Sequence, residues 1–125
     1  MYIQTKILTR QIICVSINFA FTLMPDEVRN EELILNRNEA LEALKRMFPQ
    51  NTYLDAEQGQ TKTGGLIPWF DYYGPTLDID MYALHAFMRI KRRLLYCLFN
   101  CPVDKHEGWK PIALEALSSI CADKN

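Results

Sequence analysis

Hydrophobic and polar residues alternate strictly in one early stretch of the chain. Ile13, Val15, Ile17, Phe19, Phe21 and Leu23 are separated by Cys14, Ser16, Asn18, Ala20 and Thr22. A period of two is what a half-buried β-strand requires, because successive side chains point to opposite faces. The pattern predicts a strand over residues 12–23, ended by Pro25, with Tyr2–Leu8 as a partner or an extension. Lys6 and Arg10 before this run resemble the charged region of a signal peptide, but an apolar signal core has no reason to alternate. No run reaches the ~18 continuous apolar residues of a membrane span.

Further along, the period changes. Ala40, Leu41, Leu44, Met47 and Phe48 recur at helical spacing, with Asn36 and Glu39 placed as a capping box and Pro49 as a stop. This predicts a helix over 37–48. Residues 50–75 read as short strands, Thr52–Leu54 and Leu66–Phe70, around a polar, glycine-containing loop from Asp55 to Gly65. Pro68 marks the second strand as an edge. After the break at Gly74-Pro75, apolar residues from Ile79 to Phe99 cover most of a helical wheel. The expectation is a long core helix over 78–100, with His85, Arg89, Arg92, Arg93, Tyr82 and Tyr96 on its one polar arc. Lys91 projects from the apolar arc and needs a partner or a route to water. Pro111 suits a helix start, predicting a last helix over 111–122.

The expected fold class is α+β: a small antiparallel sheet packed against about three helices in two layers, as one domain over 1–125. Composition agrees with a globular chain: 125 residues, 49% hydrophobic, 23% charged. The net charge of −1 gives no general attraction for nucleic acid or anionic membranes, and little protection against self-association, so a homo-oligomer fits. Four cysteines, each in or beside an apolar segment, read as buried free thiols in a reducing, cytoplasmic setting.

Candidate chemistry is sparse. Cys97, Cys101 and His106 have the only metal-like spacing, but zinc wants a fourth ligand and a second pair; no metal or cofactor is expected. A thiol nucleophile would have to be Cys101 with His106, since Cys97 and His85 fall on opposite arcs of the expected helix. The residues therefore lean away from catalysis. Trp69, Phe70, Asp71, Tyr72 and Tyr73 form the feature most suggestive of function, because aromatic residues dominate interface hot spots. The first expectation is a small non-catalytic protein that binds a protein partner stoichiometrically, of inhibitor, immunity or anti-defence type, with no membrane involvement. One alternative is a small enzyme or ligand-binding domain with a pocket near that aromatic segment. The other is a nucleic-acid module in which His85, Arg89, Arg92, Arg93 and Tyr96 contact the phosphates and bases.

Overall fold

The structure is a computed structural model and describes residues 17–124. Its elements are β1 (Asn18–Glu27), α1 (Asn30–Met47), β2 (Thr52–Gln60), β3 (Leu66–Pro75), β4 (Asp80–Ile90), β5 (Arg93–Pro102), a short 3₁₀ turn and α2 (His106–Ser118). The five strands form one antiparallel sheet in the order β1-β5-β4-β3-β2. Three of the four pairings are hairpins; the fourth lays β1 against β5.

The expected fold class needs correction. There are two helices among the described residues, not about three, and they do not share a side of the sheet. Leu33, Ala40, Leu41 and Leu44 of α1 pack on Phe70, Tyr72, Phe87 and Tyr96. Ala113 and Leu117 of α2 pack on Trp69, Leu84, Ala86, Cys97 and Phe99, which carry the opposite strand parity. The sheet is therefore a middle layer between two helices.

The largest departure is the segment expected as a helix over 78–100, which is the β4–β5 hairpin. A strand buried on both faces has no polar alternation, so its sequence reads as a continuous apolar run. Residues 82–88 are all buried, even-numbered ones toward α2 and odd-numbered ones toward α1. Lys91, the anomaly of the helical wheel, is exposed at the hairpin tip. Lys91 and Arg92 both have positive φ, 49° and 69°, as a two-residue type I′ turn demands.

That turn lacks the usual Asn-Gly, and the C-terminal segment compensates. The Asp123 carboxylate accepts the backbone N–H groups of Lys91 and Arg92 and the Arg89 guanidinium. Burial acts to raise the Asp123 pKa, but these donors outweigh it and hold it below the ordinary carboxylate value. Asp123→Ala is expected to lower the unfolding free energy by about 1–3 kcal/mol, measured by urea denaturation, with faster hydrogen exchange at the Lys91 and Arg92 amides.

Smaller corrections follow the same physics. The expected strand keeps its described part in β1, whereas residues 12–16, Cys14 and the Tyr2–Leu8 segment lie outside the described residues. Pro25 does not end β1; the register shifts between Leu23 and Glu27 to accommodate it. Helix α1 begins well before residue 37, with Arg29 at the N-cap and the Glu32 carboxylate accepting the Arg29 N–H. Asn36 instead donates to the Glu32 carbonyl inside the helix. Pro111 lies within α2 rather than at its first position. Part of the expected Asp55–Gly65 loop is β2, a polar edge strand. Strand β3 is internal despite Pro68, whose missing N–H is tolerated because the β3–β4 ladder starts one residue later, at Trp69↔Ala86. Among the described residues no helix is long and apolar enough to cross a membrane.

Candidate functional site

On the α1 side, three adjacent strands bring Tyr72, His85 and Tyr96 together. The Tyr72 hydroxyl lies 3.0 Å from His85 Nε2, and the Tyr96 hydroxyl bonds Nδ1. His85 is 7% exposed and stacks on Phe70 with ring centroids 4.7 Å apart. Burial in this apolar stack pushes its pKa down to about 4, so the imidazole is neutral near pH 7. A neutral imidazole has one N–H, so one tyrosine accepts from the ring and the other donates to it. Burial also raises both phenols, Tyr72 to about 12.

Tyr72 is also one wall of a cavity of about 390 Å³. The cavity opens where α1 ends, between Phe48 and the turn end of the β3–β4 hairpin. Its floor is the sheet at Ala83, whose side chain is small, and the missing side chain of Gly74 makes room for Asn51. Asn51 lies so close over Gly74 that any added Cβ would collide with its carboxamide. Asn100, paired with Ala83 across the ladder, forms the far side.

The α2 side holds a different cluster. Asp71 is fully buried, yet its carboxylate accepts the Tyr82 hydroxyl, the Asp55 backbone N–H and Lys110 Nζ at 2.7 Å. Lys110 also reaches Asp55 at 2.8 Å and lies over the Trp69 ring. Burial disfavours the Lys110 charge, but the two carboxylates outweigh that and raise its pKa; burial and Asp71 both raise that of Tyr82. This cluster bolts α2 to the sheet.

The sequence-level candidates therefore separate. Trp69, Phe70 and Asp71 are buried, and only Tyr72 and Tyr73 keep some surface. Alternation guarantees a solvent face only where one side of the sheet is open, and β3 has a helix on each side. The basic stripe is not assembled. Arg89 pairs with Asp123, Arg92 with Glu27, and Arg93 donates to the Met24 carbonyl, while His85 and Tyr96 bind each other.

Cys97 and Cys101 are buried free thiols whose pKa values burial raises to about 12 and 11, far from an activated nucleophile. His106 uses its Nδ1–H on the Val103 carbonyl. No three metal-binding side chains converge among the described residues. Sequence reasoning missed Lys110, Asp123, Gly74, Ala83 and Asn51. Only Gly74 carries a signal, as a chain break beside Pro75.

No family model and no curated protein matches the chain in sequence. In shape it is similar to a crystal structure from Pseudomonas aeruginosa, described as a protein of unknown function, PA94, "Putative Regulator". The TM-score is 0.62 at 12% identity, over 93% of this chain and 89% of the other. Identity this low carries the fold and nothing further.

Proposed function

We propose that the protein acts by stoichiometric binding to a protein partner, as an inhibitor, immunity protein or anti-defence factor does, rather than by catalysis. One observation carries this reading. Strand β1 is at the edge of the sheet, and its Phe21, Leu23 and Met24 are 52%, 43% and 40% exposed. Among the described residues nothing pairs with its outer edge. Pro25, Asp26, Glu27 and the register shift blunt the far end of this edge, but Asn18–Met24 carries no proline or charge and is suited to accept a strand from another chain. Tyr72 and Tyr73, the part of the aromatic segment with surface left, are secondary contacts. Cys97 and Cys101 are buried free thiols as expected and Cys121 is an exposed one, and free thiols suit a reducing compartment such as the cytoplasm.

The test is an affinity capture from the native host with mass spectrometry, run beside the Phe21→Asp/Leu23→Asp variant. Both positions are exposed, so the variant is expected to melt within a few degrees of wild type and to stay monodisperse. It is also expected to lose the partner. Recovery of the same proteins by both forms overturns the reading. A second copy of the chain as the captured partner would replace it with a homo-oligomer.

A further inference from the structure

We infer that the cavity at the end of α1 is a binding site for a free small molecule of one class: an uncharged aromatic compound bearing a carboxamide or hydroxyl group. The inference is independent of the protein-binding reading, since the cavity lies on strands β3 to β5 and not on the β1 edge.

Three observations lead there. The first is shape. The small Ala83 side chain leaves a hollow over the sheet that α1 does not fill, with Asn51 packed over Gly74 as one side of it, and its volume of about 390 Å³ lies within the range of small-ligand sites. The second is charge. Every residue lining it is uncharged, so an ion would leave water without gaining a counter-charge. The third is the arrangement of chemistry. Phe48, Tyr72 and Met81 offer aromatic and thioether surface to a ring, while the Asn51 and Asn100 carboxamides can both donate and accept.

Tyr72 adds a wall whose position is fixed. Its hydroxyl is held by His85, which Tyr96 holds in turn, so its position is set before any ligand arrives. A fixed phenol costs less to order on binding than a free one. His85 acts through Tyr72 and is a positioning residue.

Benzamide is the probe, titrated into the isotope-labelled protein with backbone and side-chain amide shifts as the readout. Saturable shifts are expected at Gly74, Ala83 and Asn100 and at the Asn51 carboxamide. Benzoate and benzylamine, both charged at pH 7, are expected to bind at least tenfold more weakly. Ala83→Phe fills the hollow and should abolish the shifts. Asn100→Asp places one negative charge in the lining and should reverse the preference, so that benzylamine binds better than benzamide. The inference is overturned if benzamide gives no saturable shifts at these residues, if benzoate binds equally well, or if both variants bind benzamide as wild type does.

Discussion

Lys110→Met is expected to lower the unfolding free energy by about 3–5 kcal/mol, one of the two largest effects the structure implies. The reason is Asp71. Its carboxylate is fully buried, and Lys110 Nζ, 2.7 Å away, is the cation that neutralises it. Removing the lysine leaves an uncompensated charge inside the protein, with only the Tyr82 hydroxyl and the Asp55 N–H still bonded to it. Urea denaturation of the single variant and of Lys110→Met/Asp71→Asn checks this. The second substitution removes the stranded charge while keeping an acceptor, so the double variant is expected to regain at least half of the loss. A double variant no more stable than the single one would show that Lys110 matters through its contact with the Trp69 ring instead.

The second large effect is a pH dependence centred on His85. Its folded pKa, about 4, is below the ordinary value of 6.5. Between those values the unfolded chain holds a proton that the folded chain excludes, so stability rises with pH through the window and falls as pH drops. The contribution is fully present above pH 6.5 and lost as pH falls to about 4. A gap of this size is worth about 3 kcal/mol. The titratable groups bonded to the ring, Tyr72 and Tyr96, stay protonated throughout and add no competing term. Unfolding free energies of wild type and His85→Gln, measured from pH 7 to pH 4, should converge by about that amount as the pH falls. Parallel curves would place His85 in water rather than in the stack.

Much of the secondary structure could be read from spacing, and the parts that could not have a common cause. The alternation from Ile17 to Leu23 marks β1, and the Ala40–Phe48 periodicity marks the C-terminal half of α1. Helix α1 has one side toward water, and β1 is exposed at every position but Phe19. Strands β4 and β5 have two buried sides, so Leu84, Ala86 and Met88 facing α2 and Ala83 and Phe87 facing α1 merge into one apolar run. Leu, Ala, Met and Arg are also good helix formers, which deepened the misreading. The tip offered no Gly or Asn, because Asp123 supplies from a distance the hydrogen bonding that holds the turn. The same misreading displaced the site: a wheel put His85 among arginines, whereas the ladder puts it between two tyrosines. The Lys110–Asp71 contact joins distant positions by tertiary packing and left no local pattern to read.

The pairing of β1 with β5 has a consequence in time. The ladders β2–β3, β3–β4 and β4–β5 join neighbours in the chain and need only short loops to close. The β1–β5 ladder sets Asn18 against Asn100, so a long loop must close first. The meander of β2 to β5 is thus the natural nucleus, with β1 docking after it. Substitutions in β1 should change the unfolding rate more than the folding rate. Its amides should also exchange through sub-global opening while the meander stays protected. The strand proposed to meet the partner would then be the last to arrive and the first to leave.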